Sequence, residues 1–485
     1  MPIHVDMPPA EWLTGDSEEH RLTELGGLLR YCKEIAIDTE TTGLDNLNDR
    51  VLYWSLSMRD GPRVRRIGLR SDLLSRYRQD MSCSEDRRWL LANAKFDMHM
   101  LANSNILLRG VINDIAVQHA LLYEDMSHRL KDIHYQIFSW TWASFEETFG
   151  KVNKRDPLDS IGARLRACEK YDLNKLVEYI CNDAYGTLML YEELRSRMEA
   201  KKTWSVVPDK ISNLWEYFER TEAPFTRVLW LNERVGLGVD PNEVDRLQHE
   251  IDREEKVVRH RLNQAAGRVL SPHNNAQIVQ YLYKDKGYRV PKWTSGGKTG
   301  VQQPSTDKKV LEELALETGD PVAKLIVEAK HLHNLKGTFL KALRHVDDCG
   351  RIHPSYNQNE AVTGRLSSKN PNAQNIVHPD HDVFGIRRAI VANLKGHVLG
   401  VADYAALELM LLAEASRDPK MLDIFDRGLD PHMGNASFVF GIPYDKIKEA
   451  KELEKLVKKG VLAQLERWAQ EALTARQSVK TIAYG

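Results

Sequence analysis

The stretch Glu34-Ile-Ala-Ile-Asp-Thr-Glu-Thr-Thr-Gly-Leu44 carries an apolar strand straight into a pair of acids. Residues two apart in a strand share a face, so Asp38 and Glu40 project together while Ile35 and Ile37 point to the other side. Two carboxylates held side by side repel each other unless a cation lies between them. An exposed acidic strand end is the plainer account of the pair. Set behind a buried strand and followed by Thr-Thr-Gly, however, it is a costly arrangement without a metal.

Working outward, residues 51–57 read as the next strand, and residues 89–100 as a strand or loop passing into a helix with Asp97 on its opening turns. Residues 171–200 keep apolar side chains at helical spacing (Leu173, Leu176, Ile180, Leu188, Leu194). Within that helix Tyr179 and Asp183 are four apart and share a face. Singly, Asp97, Tyr179 and Asp183 each fit an ordinary surface residue. As an ordered set, Asp-x-Glu, Asn93-x-Lys-Phe-Asp97 and Tyr179-x-x-x-Asp183 resemble the three motifs of 3′–5′ exonucleases over residues 31–200. The resemblance implies an α/β, RNase H-like domain, a mixed sheet with flanking helices, and the alternation of strand and helix signals agrees with it. It also implies that Asp38, Glu40, Asp97 and Asp183 bind two divalent ions, Mg²⁺ with Mn²⁺ as a substitute, and that Tyr179 orients the attacking water. Two ions of that kind clamp the attacking and leaving oxygens of an in-line displacement at phosphorus.

At 485 residues the chain exceeds one core, and about 100 to 200 residues per domain suggests three or so domains. The 68 basic and 69 acidic side chains leave a formal charge of −1, which neither favours nor excludes a nucleic-acid partner. No apolar run approaches a membrane span, and the opening Met-Pro-Ile-His-Val-Asp lacks the form of a secretory signal, so a cytoplasmic protein with no membrane partner is expected. Five scattered cysteines without a Cys-x-x-Cys pair indicate neither a disulfide framework nor a zinc site.

Residues 1–30 read as a lead-in with a short helix, and from about residue 203 the texture becomes helical, clearest over 215–231 and 243–269. Gly-Lys-Thr at 297–299 lacks the first glycine of a phosphate loop and follows no strand, so a turn is the better account. Helices are expected over 308–317 and 329–346; His331 and His333, two apart on the latter, do not face one another as a metal pair would.

Further on, Val398, Leu399 and Val401 read as a strand delivering Asp403 to its end, with Glu408 opening an amphipathic segment. Such an acid suits Mg²⁺ through hard oxygen ligands, and it equally suits a helix N-cap. With Thr363-Gly-Arg-Leu-Ser-Ser368, Pro371-Asn-Ala-Gln-Asn-Ile376, Ile386-Arg387, Asp430-Pro-His432 and residues 476–485, the ordered series resembles the family-A DNA polymerases. This second likeness spans residues 31–485. It implies an exonuclease domain over 31–204, a mainly helical thumb-like region over 205–345, and an incomplete α+β palm and fingers over 346–485.

By the same resemblance Asp403 is a metal-binding catalytic acid, and Glu408 excludes a sugar 2′-hydroxyl. Arg365, Gln374 and Asn375 hold the DNA primer-template, while His432, Arg476, Lys480 and Tyr484 meet the incoming dNTP. Arg476, Lys480 and Tyr484 also lie along one helical face by their spacing, so two cations and a ring address one ligand. Tyrosine at 484 resembles a phage variant with weak discrimination against dideoxynucleotides. Ala405, Ala406 and Met410 replace polar residues usual in the family. Gly485 falls inside the nucleotide-binding helix, ahead of the family's second catalytic-acid motif. The expectation is therefore the N-terminal part of a split or interrupted polymerase, completed by a C-terminal polypeptide. A stand-alone 3′–5′ exonuclease and a non-catalytic primer-template binding subunit are the alternatives.

Overall fold

The acid-bearing stretch forms the middle of a six-stranded sheet. In the computed structural model, which describes residues 7–82, 85–153, 155–156, 158–202, 211–295, 300–377, 382–458 and 461–484, the strands are β1 (Ala10–Leu13), β2 (Glu34–Thr41), β3 (Val51–Asp60), β4 (Arg63–Arg70), β5 (Arg88–Leu91) and β6 (Val111–Asp114). They lie in the order β1-β4-β3-β2-β5-β6. β2 pairs antiparallel with β3 and parallel with β5, so the sheet is mixed. The short helix expected in the lead-in is α1 (Glu19–Tyr31), and ahead of it residues 10–13 supply an unforeseen edge strand, β1, parallel to β4. Polar residues there conceal Leu13, Leu22, Leu25 and Leu29, all fully buried.

Helices cover both faces. On one side α1, α2 (Leu74–Ser82) and α3 (Ala94–Asn103) close a core with Ile35, Ile37, Trp54 and Trp89. On the other, α4 (Ile115–Leu122), α5 (Leu130–Phe138) and the 28-residue α8 (Leu173–Ala200) pack on Ala36 and Leu90. Between α5 and α8 come α6 (Phe145–Phe149) and α7 (Ile161–Tyr171). Odd positions of β2 therefore face α3, and even positions, Asp38 and Glu40 among them, face α8.

The helical region begins inside the core of the six-stranded sheet. Trp215 of α9 (Leu214–Tyr217), Phe218 in the π-turn that follows, and Ala223 at the start of α10 (Ala223–Val235) join Leu188, Tyr191 and Leu194 of α8. Trp230 of α10 joins the cluster on the opposite face. A separate core forms only from β7 (Leu237–Val239) onward. It unites α11 (Pro241–Ala266), α12 (Asn275–Val279), α13 (Lys308–Thr318) and α14 (Pro321–Asn334), which runs through a π-turn into α15 (Lys341–Leu343). Short strands β8 (Arg351–Ile352) and β11 (Ile390–Val391) flank β7, and β9 (Ser355–Asn357) pairs with β10 (Ser367–Lys369).

Everything described up to residue 399 packs as one unit; residues 400–484 form another. The second unit is helical: α16 (Leu407–Ser416), α17 (Pro419–Asp426), α18 (Pro431–Phe440), α19 (Tyr444–Lys458) and α20 (Arg467–Tyr484). The strand expected before Asp403 is not formed. Residues 396–404 are irregular, with Val398 and Val401 about nine-tenths exposed. An apolar run becomes a strand only against a partner, and none of the described strands pairs with it. Asp403 is no helix cap either: α16 starts at Leu407 behind Ala406, which has φ +54 and donates no side-chain cap. No helix of the described residues is long and apolar enough to cross a membrane.

Candidate active site

At the C-terminal end of β2 the sheet and α8 bring three carboxylates to one point. Single ligand oxygens of Asp38, Glu40 and Asp183 all lie within 4.8 Å of one another. The period of two aligns the first pair; a register shift at Glu40/Thr41 ends the regular pairing with β3 just there. Asp183 descends from α8, whose N-cap Asp172 accepts from the Lys175 N–H. One helical turn earlier Tyr179 hydrogen-bonds Glu40, its ring seated edge-on against Phe149 at 4.8 Å.

Asp97 arrives from the opposite face. Its Oδ1 accepts from both the backbone N–H (2.9 Å) and the hydroxyl (2.6 Å) of Thr39, the residue between the two β2 acids. Thr39 thus ties α3 to the strand end. Asp97 does not join the tight three-oxygen cluster, yet its charge still weighs on Asp38 and Glu40.

Burial and mutual repulsion move every acid the same way. Burial, then Asp183 and Asp97, hold the Asp38 carboxyl well above the carboxylate range. Burial and Asp183 push Glu40 up to about 8, eased by Lys131. Asp97 rises through burial to about 7 despite the Thr39 bonds, and Asp183 rises through burial although Lys131 and Trp142 oppose it. Burial and the neighbouring acids raise the Tyr179 phenol further, so it is neutral and available to donate. Buried carboxylates that resist ionisation alone are a fit for hard divalent cations, which would supply the missing positive charge.

Residues without a motif complete the site. Lys131 Nζ stands 3.9 Å from Asp183 Oδ1 and 5.3 Å from the Tyr179 ring centre, fixed by donating to the Ala143 carbonyl at 2.8 Å. Trp142 Nε1 donates to Asp183 Oδ1. Asp114, buried at the end of β6, accepts from the N–H groups of Asn93 (3.1 Å), Ala94 (2.8 Å) and Ala116 (2.9 Å), and so caps α3 and α4 together. Only Asp114 had a sequence signal, an acid between a strand and a helix. Lys131 and Trp142 lie on a helix and a loop where nothing local marks them.

Beneath α3, Glu233 of α10 forms a buried junction. Its carboxylate receives Lys95 Nζ, pairs with His99 Nε2 at 2.8 Å, and accepts from the Tyr356 N–H at 2.7 Å, while its carbonyl meets His353 Nδ1 at 2.7 Å. Burial works to raise the Glu233 pKa, but His99 and Lys95 prevail and hold it low. The helix bearing Asp97 is thereby bound to the β9–β10 hairpin.

The DNA-binding candidates surround that hairpin. Arg365 is exposed on its loop, and Gln374 and Asn375 are exposed on a 3₁₀ turn capped by Asn372. A cleft of about 700 Å³ in the same unit is lined by Asn93, His128, Arg129, Asn357 and Lys369, among others. None of the four exonuclease acids lines it.

In the second unit, His432, Arg476 and Lys480 come together. Arg476 reaches Asp430 Oδ2 at 3.2 Å across α18 and α20, and His432, buried beside it, is pushed down by burial and by Arg476, Lys480 and Lys451 against the opposing pull of Asp430. Asp403 and Glu408 are exposed on and before α16, and Asp403 joins no three-ligand cluster among the described residues. The side chain of Tyr484 lies outside the described residues.

Residues 16–199 match the 3′-5′ exonuclease family, and residues 241–462 match DNA polymerase family A. DNA polymerase I of Pseudomonas aeruginosa is 30% identical over 434 residues, covering 86% of this chain and 45% of the relative. DNA polymerase I of Chloroflexus aurantiacus is 31% identical over 380 residues, covering 76% and 37%. The chain therefore spans less than half the length of these relatives. The fold is similar to the POL domain of Pol1 from M. smegmatis, solved as a complex with DNA primer-template and dNTP: TM-score 0.69 at 23% identity, over 95% of this chain and 74% of that one. With a sheet carrying clustered acids ahead of a helical region, and both family matches falling in that order, the chain joins a region of the 3′-5′ exonuclease family to a region of DNA polymerase family A.

Proposed function

We propose that the first 200 residues hydrolyse the 3′-terminal phosphodiester of DNA, with Asp38, Glu40, Asp97 and Asp183 holding two Mg²⁺ or Mn²⁺ ions and Tyr179 orienting the attacking water. The observation that carries this reading is the convergence of Asp38, Glu40 and Asp183 within 4.8 Å. The ions would activate water and neutralise the phosphate. The chain's own part is positional. Thr39 holds one oxygen of Asp97, Glu40 accepts from the neutral Tyr179 hydroxyl, and Lys131 offsets part of the acid charge. Degradation of a 5′-labelled single strand in Mg²⁺ is expected from the chain, falling to background in Asp38→Ala. Unchanged degradation by that variant would refute the assignment.

The second unit supports a role in templated DNA synthesis, with Asp403 as one metal-binding acid, Glu408 against the sugar, and Arg476, Lys480, His432 and Tyr484 toward the dNTP. Arg365, Gln374 and Asn375 would hold primer-template. The gathering of Arg476, Lys480 and His432 favours this reading. Two-metal chemistry needs a further carboxylate near Asp403, so primer extension is proposed for the chain joined or mixed with a polypeptide carrying the remaining length of the relatives. Extension by the mixture, lost in Asp403→Ala, is expected; a mixture unaffected by that change would remove Asp403 from the mechanism.

A further inference from the structure

Asp183 does not stand free at the metal cluster: the indole of Trp142 donates to its Oδ1. Trp142 belongs to the loop between α5 and α6, and a long loop residue needs a reason to reach into a helix face. Gly186, three residues after Asp183 and on the same face of α8, supplies it. A Cβ at 186 would lie 2.1 Å from Trp142 Cη2 and 2.8 Å from Cζ3, so the six-membered ring occupies the space that any other side chain would fill. Ring carbons have no flexible end to withdraw. The indole is held from behind by buried His134, edge-on at 4.9 Å, whose own Nδ1 bonds the Trp140 carbonyl at 2.8 Å. Lys131 Nζ lies 5.8 Å from the Trp142 ring centre, closing the pocket toward the cluster.

We propose that Trp142, seated in the notch left by Gly186, is a positioning residue that fixes the rotamer of Asp183 and so sets the affinity of the exonuclease centre for its divalent ion. The inference rests on the reading of Asp183 as a metal ligand. Its physical basis is general. A ligating carboxylate with one oxygen already hydrogen-bonded pays less entropy to bind and presents its remaining lone pairs in one direction, and losing such an outer partner costs about 10- to 100-fold in metal affinity. A ring present only for packing would leave the affinity unaltered once the volume is kept.

The test is Mn²⁺ binding to the full chain, followed by electron paramagnetic resonance, in wild type, Asp183→Asn, Trp142→Phe, and a chain with 3-benzothienylalanine at 142. The last keeps the indole's shape and removes only its N–H, so it separates loss of the donor from the loss of volume that Trp142→Phe also brings. Asp183→Asn is expected to lose Mn²⁺ binding. The two Trp142 variants are expected to bind about 10- to 100-fold more weakly. In degradation assays their KM for the oligonucleotide stays unchanged, and rate returns as Mn²⁺ is raised. Wild-type binding by Asp183→Asn would overturn the ligand reading itself. Loss in Asp183→Asn with wild-type affinity in the benzothienyl chain would overturn the positioning role alone. Gly186→Ala, which displaces the ring without removing its donor, is expected to weaken Mn²⁺ in the same sense.

Discussion

Burial, joined at Asp38 and Glu40 by the neighbouring carboxylates, raises the pKa of Asp38, Glu40, Asp97 and Asp183 in the metal-free fold above its value in the unfolded chain. The sign of the resulting pH dependence follows. An acid whose pKa is raised on folding lowers stability as pH climbs from its unfolded value through its folded one. With Glu40 at about 8 and Asp97 at about 7, the chain in EDTA should melt at a lower temperature at pH 8 than at pH 6.5. Histidines lowered by burial, His99, His119 and His134 among them, act in the opposite sense near pH 6.5, where the unfolded imidazoles still bind protons, and the larger rise of the four acids sets the sign. Saturating Mg²⁺ at pH 8 should recover the lost stability, and metal binding should release protons. Calorimetry at the two pH values with and without Mg²⁺ measures both, and equal melting in EDTA would show that the acids do not repel. At this scale the sequence was legible wherever a period governs: two residues for Asp38 and Glu40, four for Tyr179 and Asp183. It was silent on Lys131 and Trp142, because their approach to Asp183 depends on a loop path and on a missing Cβ at Gly186, neither of which leaves a local pattern.

Single elements carry more than their own length suggests. Asp114 closes β6 and caps both α3 and α4. Removing a cap acceptor costs about 0.5–2 kcal/mol, so Asp114→Ala is expected to destabilise by about 1–4 kcal/mol with two helices affected. Denaturant midpoints check it, and a change below half a kcal/mol would mean that water replaces the carboxylate at both ends. Glu233 is the stronger case. Leaving Lys95 buried without its partner costs about 3–5 kcal/mol, and Glu233→Ala should also weaken exonuclease activity through α3, whereas a loss of stability without loss of activity would show that Asp97 is held by Thr39 alone. The long helices, α8 and α11, were readable from apolar spacing. The strand before Asp403 was not, because β propensity reports a surface waiting for neighbours, and the neighbours are set by tertiary structure.

For the whole molecule, the described residues divide into two packing units at residue 399. Changes in composition near residues 30, 204 and 345 mark changes of secondary structure, whereas packing units follow buried surface, and Leu13, Trp215 and Trp230 bury theirs in the exonuclease core. The exposed, irregular stretch from Leu394 to Tyr404 is the expected first site of chymotryptic cleavage. The fragment ending there should retain Mn²⁺ binding and degradation of single strands. Mass spectrometry of a brief digest, followed by assay of the fragment, checks this; a first cut within α9 or α10 would contradict the packing described.

The Glu233 junction also bears on how such an enzyme can be taken apart and recombined. An N-terminal module cut at residue 204 would leave α10 behind, stranding Lys95 and His99 without their carboxylate and stripping Trp215, Phe218 and Trp230 from its interior. Cut after Val235, the donor carries its own keystone, and the recipient contributes the backbone N–H and carbonyl of Tyr356 and the His353 ring. Grafts between relatives at the later boundary should fold and digest DNA, while those at the earlier one should be insoluble.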